Sequence, residues 1–474
     1  MMTNENPAAL IPELALLAGA VLGLLAGAWL PRRRQWPVRA LAGAACLVGL
    51  GATVITAATT PAQIVFGAAY AVDTATQATR ATVLTATLLA LWLSIDTVDG
   101  HRRESEFVVL LQLGALGSIL LSGANDLLLL FAAFLLASVP FYGLAGWAGT
   151  GRTGEAAMKY YLSGAFAGVV MLTGTAVLYG AGGATGYAAL HEGLGAGPAG
   201  AAAVGLVAVL AGLTFKAGAA PAHFWVPDVT DGTPAAVAAV VTTIPKIGAL
   251  VGAYRLLPGA IPVQVVDWPL LLAVIAAVSM TLGNLAAFFQ TSVQRLLAYS
   301  TISQVGYLLM AVAVAGRSAE ALPGLLFYLA GYAVTNLGAF AVVAALPAAR
   351  TLDDYRGLAR RRPALAAALV VCLLGLVGTP PTAVFLGKLT VFTAAVDGGF
   401  GWLAVLAVVN TVASVFYYLR WIAPALRSGD PAAGSADVVH SRSRLAALTA
   451  AAASVLLGIA GGAVLPLLGG ALIR

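Results

Sequence analysis

The chain has 474 residues, of which 60% are hydrophobic and only 9% are charged, and its formal net charge at pH 7 is +6. This composition excludes a soluble globular protein and indicates a polytopic membrane protein. The positive charge does not indicate a nucleic-acid surface, because no basic patch is interleaved with aromatic residues. Cys46 and Cys372 lie in separate apolar segments, which excludes a cysteine metal site or a disulfide framework.

Long apolar runs predict an all-α protein with about fourteen transmembrane spans. Each run of about 20 residues ends at a charge cluster or at a proline or glycine break. The first run is not a cleavable signal peptide, because Glu13 opens it and the arginines follow it. The predicted spans begin near residues 9, 37, 80, 107, 126, 156, 200, 234, 269, 298, 320, 363, 400 and 445.

The basic residues predict how these spans are oriented in a bacterial cell membrane. With both termini on the outer side, eighteen of the 25 lysines and arginines fall in cytoplasmic loops. The outer side keeps four: Arg80, Arg255, Arg317 and Arg474. This asymmetry follows the positive-inside rule.

The remaining three basic residues are lysines inside apolar stretches: Lys216, Lys246 and Lys388. A cation at the centre of a bilayer costs at least about 2.5 kcal/mol, so such a residue usually marks an ion path. Two of these lysines lie beside predicted helix breaks. Pro221 follows Lys216 by five residues, and the Pro380–Pro381 pair shortly precedes Lys388.

The two breaks predict an internal repeat. They fall in the seventh and twelfth spans, each of which is fourth in a unit of five (spans 4–8 and 9–13). Units with an odd number of helices must be inserted in opposite orientations, and matched interruptions indicate inverted-repeat transporters. The predicted divisions are an N-terminal three-helix segment (1–106), two five-helix repeats (107–257 and 258–425), and a C-terminal loop with the last helix (426–474).

Several stretches resemble the antiporter-like membrane subunits of respiratory complex I, and the chain length favours subunit N among them. The matching stretches are GANDLLLLFAAFLLASVPFYGLAGW (123–147), EAAMKYYLSGAFAG (155–168), FKAGAAPAHFWVPDVTDGTPAAVAAVVTTIPK (215–246), QRLLAYSTISQVGYLL (294–309) and GTPPTAVFLGKLTVF (378–392).

The resemblance implies a proton-translocating subunit of an NADH-quinone oxidoreductase. Lys216 matches the broken-helix lysine of the family, Lys246 the connecting lysine, and Lys388 the lysine of the second half-channel. NADH, FMN, iron–sulfur clusters and quinone are expected in partner subunits of the membrane complex, and none in this chain. We expect the lipid bilayer, protons and the other membrane-arm subunits as partners, and no nucleic acid.

Three further residues are candidates for relaying protons. His223 lies two residues after Pro221, while Gln304 and Tyr307 belong to a polar run within an apolar span. Gln304 departs from the histidine that relatives often carry, and glutamine does not titrate. Leu135 replaces a glutamate that the family normally has on the fifth span.

Two alternatives remain open from the sequence. The chain could belong to a Mrp-type cation/proton antiporter or a membrane-bound hydrogenase, because these complexes share the repeat. It could also be a structural paralogue that has lost pumping, which Leu135 favours.

Overall fold

The computed structural model describes residues 5–427, 439–470 and 472–473, and these residues are almost entirely helical. Arg474, predicted on the outer side, lies outside the described residues, as does much of the predicted loop after residue 426. The helices and the single hairpin are α1 (Ile11–Trp29), α2 (Trp36–Thr59), β1 (Gln63–Val65), β2 (Tyr70–Val72), α3 (Thr74–Leu93), α4 (Ile95–Val98), α5 (Glu104–Gly123), α6 (Leu127–Leu136), α7 (Val139–Ala145), α8 (Gly151–Gly182), α9 (Tyr187–Ala196), α10 (Ala199–Ala217), α11 (Trp225–Gly232), α12 (Ala235–Val241), α13 (Ile244–Ala260), α14 (Trp268–Ala287), α15 (Val293–Ala313), α16 (Ala321–Ala345), α17 (Leu358–Arg361), α18 (Pro363–Val377), α19 (Ala383–Asp397), α20 (Gly401–Leu426), α21 (Ser441–Ile459) and α22 (Gly461–Val464). Short 3-10 helices cover Pro7–Leu10, Leu352–Tyr355 and Leu465–Leu468.

The prediction of an all-α polytopic membrane protein is confirmed. Among the described residues, twelve helical segments are long and apolar enough to cross a membrane. The 20-residue helix α3 and the interrupted pair α18–α19 are not among the twelve. The count of fourteen spans therefore stays a prediction.

The two predicted helix breaks are present and have matching geometry. Helix α10 ends at Gly218 (φ +81°) and helix α18 ends at Gly378 (φ +89°). Each glycine N–H donates to the carbonyls three and four residues before it, and the next N–H reaches back five residues. A cis prolyl bond follows at the same distance in both, at Ala220–Pro221 and Pro380–Pro381. The left-handed conformation is one that glycine adopts without steric cost, which explains its place at both ends.

Two further spans are interrupted where the sequence analysis predicted continuous helices. Helices α6 and α7 are separated at Ala137–Ser138, and α12 and α13 at Thr242–Thr243. A proline follows each interruption in the first turn of the next helix, at Pro140 and Pro245. Proline has no N–H to donate, so the helical hydrogen bonding lapses at these points.

Helices α13, α15 and α16 form the centre of the protein. In the segments Ala235–Ala260 and Val293–Ala313, 94% of the most apolar window is buried, against 28% in Trp36–Thr59. Lys246 and the predicted polar run of the tenth span therefore lie in the interior, while α2 largely faces outward.

Two arginines that the charge count assigns to the outer side lie within helices. Arg80 lies within α3 and Arg255 within α13, and both side chains are at most 2% exposed. Arg80 pairs with Glu13 at 2.8 Å. Arg255 forms a bidentate pair with Asp73 at 2.7 and 2.9 Å. Because each cation has a carboxylate partner, burial inside the bundle is possible.

Candidate functional site

Lys216 lies in the last turn of α10, directly before the break, and only 1% of the residue is exposed. Its ammonium donates to the carbonyl of Ala137 at 3.1 Å and to the hydroxyl of Ser138. The rings of Phe134 and Tyr142 lie 4.9 and 5.8 Å from Nζ. The lysine is thus held by neutral groups at the interruption between α6 and α7.

Lys246 lies at the start of α13, beside the interruption at Thr242–Thr243, and is 2% exposed. Its Nζ makes a long hydrogen bond of 3.4 Å to the hydroxyl of Tyr332. The same hydroxyl donates to the Thr242 carbonyl at 3.1 Å. Since a phenol has one proton to donate, its 2.9 Å contact with Thr301 Oγ1 is a bond that Thr301 donates.

Lys388 lies in α19 and folds back onto the end of α18, with 3% of the residue exposed. Its Nζ donates to the Val377 carbonyl at 2.9 Å and lies 3.5 Å from that of Leu376. The ring of Tyr307 lies 4.1 Å from Nζ. A helix carries partial negative charge at its carboxyl end, so the end of α18 is a favourable place for a cation.

Helix α15 connects the surroundings of Lys246 and Lys388. Thr301 bonds Tyr332 on the Lys246 side. One turn further along α15, Gln304 Nε2 donates a hydrogen bond of 2.7 Å to the Leu376 carbonyl. Lys388 also approaches this carbonyl. The Gln304 side-chain oxygen accepts a bond of 2.5 Å from Tyr328. The predicted candidates Gln304 and Tyr307 therefore lie beside Lys388.

His223 is placed differently from the lysines. It lies within the break after α10, only partly buried, next to Phe224, which is 61% exposed. Its Nδ1 is buried and has no hydrogen-bond partner in the structure. The structure thus places His223 near the perimeter of the bundle, and among the described residues no hydrogen bond joins it to Lys216.

Carboxylates do not contact the three lysines in the described part of the chain. The ion pairs found there involve arginines or Lys159, a partly exposed residue that bonds Glu155 and Asp228. Leu135 is 41% exposed on the outside of α6. The side chains that meet Lys216 come instead from Phe134, Ser138 and Tyr142.

Two cavities whose linings include charged residues lie at the ends of the bundle. One of about 440 Å³ is lined by Asn125, Tyr187, Arg255 and Arg317, among others. The other, of about 330 Å³, includes Asp231 and His440 in its lining. None of the three lysines lines either cavity, so the lysines lie deeper in the bundle than these openings. Residues 5–427, 439–470 and 472–473 contain no group of three His, Cys, Asp or Glu residues able to hold a metal ion.

The sequence analysis missed the polar groups of α16 and of the α12–α13 interruption that lie around Lys246. Tyr332 and Asn336 lie one turn apart on α16 and bond the backbone and side chains of Thr242 and Thr243. Within an apolar span, regularly spaced tyrosine and asparagine were the available signal, because buried polar groups need partners. Ser138 was visible only as part of a matching motif.

Comparison with known proteins identifies the family. A family model described as NADH:quinone oxidoreductase/Mrp antiporter, TM, matches residues 124–414. A protein named NADH-quinone oxidoreductase subunit N 1 from Streptomyces griseus subsp. griseus is 62% identical, covering 99% of both chains. A protein named NADH-quinone oxidoreductase subunit N from Mycobacterium sp. is 51% identical over 97% of both chains.

Solved structures show the same fold. A chain of respiratory complex I from Thermus thermophilus is 33% identical, with a TM-score of 0.83 over 97% of this chain and 100% of that chain. A chain of the Mrp complex from Dietzia sp. has a TM-score of 0.84 over 98% of this chain and 96% of its own length. Its 21% identity shows the fold alone. On the strength of these matches and of the predicted motifs, the chain belongs to the subunit N family of NADH-quinone oxidoreductases.

Proposed function

We propose that this chain is a proton-translocating membrane subunit of a bacterial type I NADH-quinone oxidoreductase. The relatives that it matches over nearly their full length carry that name, and a complex I chain shares its fold. Electron transfer from NADH to quinone takes place in partner subunits, which hold the redox cofactors. This chain contributes a route for protons through the membrane.

The observation that carries the proposal is the arrangement of the three buried lysines. Each ammonium meets an aromatic ring together with a hydroxyl, backbone carbonyls or both. Lys246 and Lys388 meet groups that are joined through α15. A lysine without a fixed countercharge can exist with or without its extra proton, whereas a salt bridge would hold it charged. The polar groups of α15 then provide positions through which a proton moves between lysines.

The proposed order of transfer follows the chain. Lys216 receives a proton from the cytoplasmic side, Lys246 passes it laterally, and Lys388 delivers it toward the outside. Gln304 and Tyr307 assist beside Lys388, and His223 assists near the first break. The repeats occupy residues 107–257 and 258–425 between the segments 1–106 and 426–474, and both termini face the outer side.

Replacing Lys216 or Lys388 by methionine tests the proposal. Methionine keeps the length and apolar stem of the side chain but cannot carry a proton. We expect the purified complex in proteoliposomes to translocate fewer protons per NADH oxidised with either variant. Blue-native electrophoresis should show that both variants assemble.

Lys159→Met is the matched control, because 48% of that side chain is exposed and it pairs with carboxylates. This variant should translocate as many protons per NADH as the native complex. Unchanged translocation in both Lys216→Met and Lys388→Met would refute the lysine route.

Two other functions share this fold. A subunit of a cation/proton antiporter would move protons in exchange for sodium in the absence of NADH, so a sodium-driven flux in proteoliposomes would favour it. A structural paralogue would assemble and leave translocation unchanged when any of the three lysines is replaced. Leu135, which takes the place of the family glutamate, favours this second alternative.

A further inference from the structure

The surroundings of Lys216 contain a hydroxyl whose orientation is fixed. Ser138 Oγ donates its proton to the Phe134 carbonyl at 2.5 Å. A hydroxyl has one proton and two lone pairs, so this bond leaves the lone pairs free to accept. The Lys216 ammonium donates to that oxygen. The 1% exposure of Ser138 keeps bulk water from competing for the bond.

The other acceptors come from the same interruption. The Phe141 and Tyr142 N–H groups both bond the Ser138 carbonyl, which leaves the Ala137 carbonyl without a helical partner. Lys216 Nζ donates to that carbonyl at 3.1 Å. With Ser138 and the Phe134 ring, the ammonium has three partners for its three N–H groups. We call Phe134, Ala137 and Ser138 the ammonium cage.

The second repeat contains an equivalent contact. Ser138 follows the helix N-cap Asp126 by twelve residues, as Gln304 follows the N-cap Ser292. Both N-caps also form an isolated bridge with a distant loop, at Gly186 and Thr351.

The partners of Ser138 and Gln304 correspond as well. Lys216 lies two residues before the helix-ending Gly218, and Leu376 lies two residues before Gly378. Gln304 bonds the Leu376 carbonyl, and Ser138 bonds the Lys216 side chain. In each repeat, the same position thus meets the end of the broken helix.

We propose that Ser138 is the positioning residue for Lys216, stabilising its ammonium by an oriented hydroxyl where no carboxylate of the described residues contacts it. The ammonium cage replaces the function of an acidic partner in this chain, since Leu135 is exposed on the outside of α6. This inference rests on the proposed function, because it assumes that Lys216 carries protons.

The test compares three replacements of Ser138 in the assembled complex. Alanine removes the acceptor, cysteine keeps the volume but accepts hydrogen bonds weakly, and threonine keeps the hydroxyl. We expect alanine and cysteine to lose proton translocation per NADH oxidised, and threonine to retain it. A residue that serves only in packing would give the opposite order, because cysteine fits the space and threonine adds a methyl group.

Ser163→Ala is the matched control. Ser163 lies in α8 and bonds the carbonyl of Lys159 four residues earlier, as Ser138 bonds Phe134, but it does not contact Lys216. This variant should translocate protons as the native complex does. Assembly of every variant is checked by blue-native electrophoresis.

A double replacement separates the role of Ser138 from the role of Lys216. If Lys216→Met lowers translocation, adding Ser138→Ala should cause no further loss, because the hydroxyl acts only through the lysine. If Lys216→Met lowers translocation but Ser138→Ala and Ser138→Cys do not, the role of Ser138 is overturned and the proposed function stands. If Lys216→Met has no effect, the assumption about Lys216 fails first.

Discussion

The hydroxyl of Tyr332 joins residues of three different segments. Its hydroxyl meets Lys246, Thr242 and Thr301, which belong to α13, the preceding interruption and α15. The hydroxyl is therefore a shared hydrogen-bonding point between Lys246 and helix α15. Its ring also lies 5.4 Å from Lys246 Nζ.

Tyr332→Phe should keep the ring and remove the shared hydroxyl. We expect fewer protons translocated per NADH oxidised, with normal assembly, because the hydrogen-bonded connection from Lys246 to Thr301 is lost. Tyr355→Phe is the control, since Tyr355 is fully buried and its hydroxyl has no hydrogen-bond partner within the described part of the chain. Equal translocation by the two variants would contradict a role for the Tyr332 hydroxyl.

Unlike the three buried lysines, Asp73 and Arg255 form a buried ion pair. Asp73→Asn should destabilise the subunit, because removing one member of a buried ion pair typically costs about 3–5 kcal/mol. Asp99→Asn should change stability much less, because the Asp99 side chain is 60% exposed where it meets Arg39. Thermal unfolding of the purified complex measures both, and equal melting temperatures would contradict the prediction.

The broken helices show which helix interruptions can be predicted from the sequence. Both breaks with a proline in the middle of an apolar run were predicted, because proline disrupts a helix at a definite place. The interruptions at Ala137–Ser138 and Thr242–Thr243 were not predicted, because their prolines lie at Pro140 and Pro245, in the first turn of the next helix, where proline is well tolerated. Such a proline does not distinguish a new helix from a continuing one.

The contacts of the lysines were less predictable than the lysines themselves. Lys216, Lys246 and Lys388 are evident because charge is rare in an apolar run. Their partners are backbone carbonyls and hydroxyls from distant helices, and the spacing within one span does not determine which span packs against it. The ion pairs of Arg80 and Arg255 were not predicted for the same reason, since their partners Glu13 and Asp73 come from other elements.

Replacing Gly378, the glycine that ends α18, tests the importance of the second helix break. A Cβ at this position would lie 3.0 Å from Lys388 Cδ, and the positive φ costs a non-glycine residue about 1–2 kcal/mol. Gly378→Ala should therefore both destabilise the protein and lower proton translocation per NADH.

Gly399→Ala is the control for this prediction. Gly399 has the same φ of +89°, but no atom of the residues that the structure describes lies within 4 Å of an added Cβ. The Gly399→Ala variant should lose a similar amount of stability and should translocate as many protons per NADH as the native complex. If both variants translocate equally, contact with Lys388 at the break is unimportant.

At the scale of the whole molecule, the distribution of lysines and arginines predicts how the protein is oriented in the membrane. Placing eighteen basic residues on one side predicts that the loop containing Arg102 is cytoplasmic and the loop containing Ala319 is outside. Both residues are exposed, while the native Cys46 and Cys372 are fully buried. A cysteine introduced at either position can therefore be labelled by a thiol reagent with little background from the native cysteines.

Arg102→Cys and Ala319→Cys measure this orientation. A membrane-impermeant maleimide should label Ala319→Cys in intact spheroplasts and Arg102→Cys in inverted vesicles. The unsubstituted chain gives the background. Labelling from the opposite sides would reverse the predicted topology and the direction of the proposed route.

The two oxygens that receive Lys388 belong to the main chain at Leu376 and Val377. Every amino acid supplies such an oxygen, so mutation of either side chain cannot delete the acceptor. We therefore expect Leu376 and Val377 to tolerate replacement by other apolar residues, and Gly378, which ends the helix with a positive φ, not to tolerate it.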